Sequence, residues 1–428
     1  MKWRMRYLTM FVSALLLVTL SFVLWTSNQK KILRIGVYAG SSWDVPNSRE
    51  NRVLDNIIRQ FEKSHPNVKV VYESGIPKKD YDNWLAEKIL KGEQPDVFMV
   101  PENDFSMLAA SGAFKSLDSL ISKEEAAAYY PVAYQAGLYQ GHSYALPIES
   151  NPIMMCVNKD LLEKEGISIP DSNWTLEDLY AICQKVTKDT NGDGLIDQYG
   201  ITDYTWKQAL VAYNGHLRNQ SGVNVDSVEM HQALSFISKL DSLNQRYKVT
   251  SNDFDEGKVA FYPMSLAQYR TYKPYPYHVA KYSRFSWTCI PMPAAKAGIP
   301  ATQVKTSLFA MSSKTKQDKL AWEFMKLLCQ NQKNQQELFA KSQGTSVLTS
   351  VVKSSQTKKI LQADDLGLDS LTSQRLDHMM KHSVLDISRD LDYHSLERLD
   401  YLLGNALKNN EIDSILPSIQ REMEETGK

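Results

Sequence analysis

Between Lys31 and Pro101 the apolar positions alternate between strand and helix periods. Ile32–Tyr38 is a short apolar run suited to a buried strand. Val53, Leu54, Ile57, Ile58 and Phe61 then recur on one helical face. His65-Pro66 closes that helix, because the residue before a proline is driven out of the helical region. Val68–Tyr72 is β-branched and reads as a second strand. Tyr81, Trp84, Leu85 and Ile89 mark a second amphipathic helix stopped by Gly92, and Asp96–Val100 is a third strand ended by Pro101. The order β-α-β-α-β predicts a parallel sheet with right-handed crossovers. Ligands bind such sheets beyond the carboxyl ends of the strands. The loops carrying Trp43-Asp44 and Glu102-Asn103-Asp104 are therefore the first candidate contacts.

A second unit begins near Pro147. Ile153–Val157 reads as another buried strand, Thr175-Leu176-Glu177-Asp178 opens a helix in capping-box fashion, and the chain from about Lys316 is helical by periodicity. At 428 residues the chain is long for one core and natural for two lobes. Gly141-His142-Ser143-Tyr144-Ala145 approaches a nucleophile elbow but ends in Ala ahead of Pro147, so a hairpin turn is the better reading.

The N-terminus sets the compartment. Lys2, Arg4 and Arg6 precede an uncharged stretch from Tyr7 to Gln29 with an apolar centre, Leu8–Trp25. At about 18 residues that centre is long enough to span a bilayer. Val23–Ser27 offers no convincing small-residue cleavage site and no cysteine for a lipid anchor. Residues 1–29 therefore read as an uncleaved signal/anchor segment holding the body at the cell membrane on the extracytoplasmic face; cleavage would leave it secreted. Lys+Arg and Asp+Glu balance at 49 each, so no basic excess argues for a nucleic-acid partner. Cys156, Cys183, Cys289 and Cys329 form no CxxC or metal-ligand spacing and are expected free and buried.

A set of motifs then accumulates in a fixed order: Phe61–Val70; Pro95-Asp96-Val97-Phe98; Gly112-Ala113-Phe114 with Leu117-Asp118; Tyr144-Ala145-Leu146-Pro147; Val157–Leu161; Asn173-Trp174-Thr175; Gly257–Phe261; and Ile290-Pro291-Met292-Pro293. Over about residues 32–425 the chain resembles the family 1 extracellular solute-binding proteins, the receptors of ABC importers typified by the maltose-binding protein. The resemblance implies an α/β, two-lobed periplasmic-binding-protein-like fold of type II. Lobe 1 is expected from 32–150 plus 259–313 and lobe 2 from 151–258 plus 314–425, with crossings near 148–152, 258–262 and 311–316. It also implies a monomeric receptor that takes a carbohydrate, an oligosaccharide, between closing lobes and delivers it to ABC permease subunits, with no required cofactor.

Sugars need aromatic faces for their C–H surfaces and planar polar groups for their hydroxyls. By resemblance Glu149, after the strand Tyr144–Ile148, is a ligand contact, and either Tyr204 or Trp206 is a stacking aromatic. Tyr262 stands where the family often has a small residue. The ligand set is thus Trp43, Asp44, Glu102, Asn103, Asp104, Glu149, Tyr204, Trp206 and Tyr262. The nine aromatics among 261–287 read as surface packing and strand preference ahead of a binding rim. Asp189, Asn191 and Asp193, with the turn residue Gly194 and then Asp197, open like an EF-hand loop, but Gly200 replaces the bidentate Glu, which leaves a weak candidate calcium site. Two other functions compete: a carbohydrate-processing enzyme using Glu102, Asp104 and Glu149, and a transporter-independent sensor or adhesin.

Overall fold

A computed structural model describes residues 30–43, 45, 50–101, 103–219, 222–245, 247–272, 285–364, 370–409 and 411–426. The anchor expected at 1–29 lies outside them, as do Asp44 and Glu102. Among the described residues no helix is long and apolar enough to cross a membrane.

The first half follows its pattern closely. β1 (Lys31–Gly36), α1 (Glu50–Ser64), β2 (Val68–Tyr72), α2 (Lys78–Leu90) and β3 (Val97–Met99) form in the expected order. β1 pairs in parallel with both β2 and β3. α3 (Phe105–Ala110) follows β3. Gly36, where β1 ends, is fixed by close approach: a Cβ there would lie 2.9 Å from Phe98 Cβ.

The two strands expected at 144–148 and 153–157 are one strand, β4 (Ala145–Asn158), which runs through both halves of the molecule. Its first part pairs with β8 (Thr302–Met311), and its last part with β6 (Val259–Ser265) and β7 (Trp287–Ile290). β5 (Tyr199–Ile201) closes the far edge in parallel with β6. The sheet order is β2-β1-β3-β8-β4-β6-β5, and β9 (Thr345–Ser346) and β10 (Ser383–Leu385) are side pairings on β4 and β8. Pro147 and Pro152 lie within this strand, opposite Leu308 and Val304, with a register shift beside the former.

This topology corrects the expected lobe boundaries. β6 and β7 pair with the C-terminal part of β4 and so belong with the second half, not with 32–150. The helix Asp318–Cys329, expected in lobe 2, buries Phe324, Met325 and Leu328 in the first core beside Leu33, Phe61 and Phe309. Hydrophobic burial decides both placements, at about 1.5–3 kcal/mol for each large apolar side chain.

Period-2 alternation gives the second half two cores. Met155 and Val157 face a core shared with α4 (Leu176–Val186), α5 (Trp206–Ala212), α8 (Tyr393–Asn409) and α9 (Ile412–Thr426). Met154 and Cys156 face the other, with Phe254, Trp287, Phe339 and Met379. Labels α6 and α7 denote Leu266–Tyr272 and Asp318–Cys329. Thr175 caps α4 in a capping box with Asp178, as its sequence predicts. The Gly141 segment is the expected hairpin: Leu138–Tyr139 pairs with His142–Ser143, with positive φ at Gln140 and Gly141.

Candidate functional site

β1 and β3 end beside one another, so the loops after them emerge at the carboxyl edge of the first sheet. In the first loop Lys78 Nζ donates to Ser42 O at 2.9 Å, and Trp43 N donates to Ser41 Oγ at 3.1 Å. Trp43 is only 9% exposed. Its Nε1 is buried without a hydrogen bond of ordinary geometry, yet it acts on the Glu149 carboxyl. Two residues singled out 106 positions apart are therefore brought together.

Glu149 lies on β4 where the strand passes from the first half to the second. It is 3% exposed. Oε1 accepts from Gly344 N at 2.7 Å and from Ser342 Oγ. Burial pushes its carboxyl above the ordinary range; Ser342, Trp43, Gly344 and the Arg270 cation pull the other way. Arg270, on α6 of the second half, donates through Nη1 to Gly344 O at 2.8 Å and through Nε to Asp364 at 3.1 Å. Its guanidinium lies 4.7 Å from the Phe339 ring centre. The Gly344 peptide is thus gripped by Glu149 on its N–H and by Arg270 on its carbonyl. Ser342, Gly344 and Arg270 carried no signal in the sequence, because their roles exist only through contacts with residues far away in the chain.

The loop after β3 supplies a second cluster. Asn103 Oδ1 is buried without a partner among the described residues. Asp104 stands at the N-cap position of α3, but its side chain makes no capping hydrogen bond. Burial first, and then the Asp392 carboxylate, raise its pKa. Asp392 precedes α8, so the two acids bring the first-half loop against a second-half helix. Arg389 reinforces that contact: its guanidinium is 5.7 Å from the Phe105 ring, and Nη2 donates to Ala136 O at 3.2 Å. Tyr393, next to Asp392, is 63% exposed, a large aromatic face that periodicity alone did not distinguish from helix surface.

The remaining aromatic candidates are core. Trp206 is 5% exposed and its Nε1 donates to Asp400 Oδ1 at 2.7 Å, which ties α5 to α8. Tyr204 packs edge-on to Phe236, with its hydroxyl buried and without a partner. Tyr262 is packed edge-on to Phe254. Trp206 and Tyr262 therefore present no stacking face. Of the aromatics in 261–287, Phe261, Tyr269 and Trp287 are also core, whereas Tyr275, Tyr277 and Tyr282 lie outside the described residues.

The acidic loop spends its carboxylates on itself. Asp189 accepts from the backbone N–H of Asn191, Gly192 and Gly194; Asp193 accepts from Leu195 N; and Asp197 accepts from Thr190 N and Oγ1. Among the described residues no group of three His, Cys, Asp or Glu side chains is placed to hold a metal ion. The candidate calcium set is an Asx-turn loop before β5.

The roomier of two grooves is not the one that touches Glu149. A groove of about 850 Å³ lies among Arg34, Tyr72, Trp84, Asp96 and Lys314, beside the carboxyl end of β2 and the start of β3. The cavity touching Glu149 is only about 70 Å³ and is lined largely by apolar residues such as Ile57, Ile148 and Leu338. That is too small for a sugar ring.

Comparison with known proteins decides the family. Residues 56–364 match the family model for bacterial extracellular solute-binding proteins. The chain belongs to that family. The solute-binding protein is 25% identical over 138 residues to the maltotriose-binding protein of Pyrococcus abyssi, a stretch covering 32% of this chain and 30% of that protein. The match thus spans under a third of that relative's length. Two solved structures share its fold over nearly the whole chain. The sugar-binding protein MalE from Xanthomonas citri has a TM-score of 0.74 at 16% identity and covers 92% of this chain and 97% of that one. The cyclic α-maltosyl-1,6-maltose binding protein from Arthrobacter globiformis has a TM-score of 0.71 at 14% identity, with the same coverage. Two-lobed α/β architecture follows for this solute-binding protein, and the family acts outside the cytoplasm as the binding component of importers.

Proposed function

We propose that this solute-binding protein is the carbohydrate receptor of an ABC importer, closing two lobes on an oligosaccharide and handing it to a permease without altering it. The observation that carries the reading is the clamp around Glu149. A carboxylate on the strand that crosses between the halves is held beside Trp43 of one half and the Arg270 cation of the other. A ligand reaching that point touches both halves at once, and differential contact with the closed arrangement is what drives closure. The family relatives carry the choice of ligand class: neighbouring structures and a curated relative are named for maltotriose and for maltose-type sugars.

In this reading Trp43 offers the apolar face and Glu149 the hydroxyl acceptor. Asn103, whose Oδ1 has no partner among the described residues, and Asp104 contribute polar atoms, and the exposed Tyr393 ring flanks the same mouth. Asp44 and Glu102 retain their place in the proposed contact set by position in the same loops. Asp104 and Glu149 have different neighbours, Asp392 for one and Ser342 with Gly344 for the other. Residues 1–29 anchor the monomeric body at the outer face of the membrane. The test is titration of the full chain with maltotriose by calorimetry, alongside Trp43→Ala and Asp104→Asn. Each variant is expected to weaken binding about tenfold, the equivalent of about 1.4 kcal/mol. Unchanged affinity in both variants contradicts the proposed site.

A further inference from the structure

We infer that Cys156 and Cys289 are the two halves of a cross-strand disulfide that staples β4 to β7 in the exported protein. The residues are 133 positions apart, and their sulfurs lie 3.6 Å from one another. They are directly opposite in the antiparallel register, between the pairs Val157↔Thr288 and Met155↔Ile290. Neither sulfur is in a disulfide in this structure.

The hydrogen bonding identifies the kind of pair. Cys289 N donates to Ser370 O at 2.8 Å, on the side away from β4. Cys156 and Cys289 therefore form a non-hydrogen-bonded pair, the narrower of the two antiparallel sites, where Cα atoms are about 4.5 Å apart and side chains approach most closely. That spacing lies within the range a disulfide spans, about 4.4–6.8 Å, so side-chain rotation closes the bond with little backbone movement. The other two cysteines have no such neighbour: Cys183 faces the α4 core and Cys329 the first-half core.

The compartment supplies the chemistry. The family acts outside the cytoplasm, where disulfides persist, and the inference rests on that location but not on the ligand. The oxidant is a small-molecule or protein disulfide. One cysteine thiolate attacks it, displaces one thiolate and leaves a mixed disulfide. The second cysteine thiolate attacks the protein sulfur of that bond, forms the Cys156–Cys289 bond and expels the second thiolate. The cysteine pair loses two protons and two electrons, and the oxidant gains them as two thiols. Both side chains are 0% exposed in the folded chain. Oxidation therefore occurs while β7 is docking on β4, and the same burial afterwards keeps reductants out.

The experiment uses the full chain isolated from the membrane fraction without reductant and denatured in iodoacetamide. Mass spectrometry is expected to find Cys183 and Cys329 alkylated and a linked Cys156–Cys289 peptide two hydrogens lighter than its parts. Four alkylated cysteines, or a link involving Cys183 or Cys329, overturn the inference. A second arm does not depend on location. Reduced, unfolded chain refolded with oxidised glutathione should melt several degrees above chain refolded with dithiothreitol, and the double variant Cys156→Ala/Cys289→Ala should show no such difference. Equal melting of the two wild-type preparations, with all four thiols still titratable, contradicts the geometry itself.

Discussion

Gly344→Ala adds one methyl group at the centre of the clamp and changes no charge. An ideal Cβ at Gly344 lies 2.5 Å from Glu149 Oε1 and 2.7 Å from both Cδ and Cγ. Glu149 is buried and cannot swing into solvent, and it is held by the N–H of Gly344 itself and by Ser342. Relief of the overlap must break those bonds or shift the 342–346 segment. Overpacking costs about 1–3 kcal/mol, and a buried donor left unpartnered adds about 1–3 kcal/mol. A loss of about 2–4 kcal/mol is expected, worth roughly 5–15 °C for a cooperative unit of 150–250 residues. Urea unfolding followed by tryptophan fluorescence measures it. The decisive form is a double-mutant cycle. Glu149→Ala alone strands the Gly344 and Ser342 donors and costs about 3–5 kcal/mol, but it also makes room for the methyl group. In that background Gly344→Ala should cost under about 1 kcal/mol. Additivity of the two substitutions within about 0.5 kcal/mol refutes the clamp.

Other expectations follow from the same contacts. Trp206→Ala should cost about 3–5 kcal/mol of stability, because the ring is core and its N–H is bonded to Asp400, while maltotriose affinity of the folded fraction stays unchanged; calorimetry and urea unfolding separate the two effects. His231 bridges Asp226 and Asp413, each at 2.9 Å, and so joins the helix Val228–Leu243 to α9. Burial alone would lower its pKa, but the two carboxylates raise it above the ordinary value. A raised folded pKa means that the stabilisation is complete below the unfolded pKa of about 6.5 and is lost as pH rises through the folded value. Melting temperature measured from pH 6 to 8.5 should therefore fall more steeply for the wild type than for His231→Gln, and parallel curves would exclude the bridge.

The contrast between what was legible and what was not has a physical origin. β1 to β3 and their helices were readable because strand and helix periods are local, and parallel order follows from alternation. The hairpin at Gly141 and the cap at Thr175 were readable for the same reason. β4 was read as two strands, 144–148 and 153–157, because the ladder with β8 that carries it through 149–152 is a long-range pairing. The lobe boundaries failed because β6 and β7 take their partners from β4, more than a hundred residues earlier. Trp43 was singled out by its place in the loop after β1, and Glu149 by the resemblance. Their partners Ser342, Gly344 and Arg270 were not, since no local pattern encodes a contact across 193 residues. Tyr204 and Trp206 could not be told apart in the sequence, because an aromatic at a helix start looks alike whether it faces a cleft or Asp400.

The account stands most directly on what the full chain does with sugars. Thermal-shift titration with a panel of linear and cyclic oligosaccharides, with mass spectrometry of the recovered sugar, tests binding and turnover together. A ligand that binds only the folded chain stabilises it by about 2.7 kcal/mol at a hundred times its dissociation constant. At least one oligosaccharide should therefore raise the melting temperature with saturation and be recovered intact. A panel in which no carbohydrate shifts the transition while amino acids or peptides do, or in which the stabilising sugar is recovered cleaved, contradicts the account.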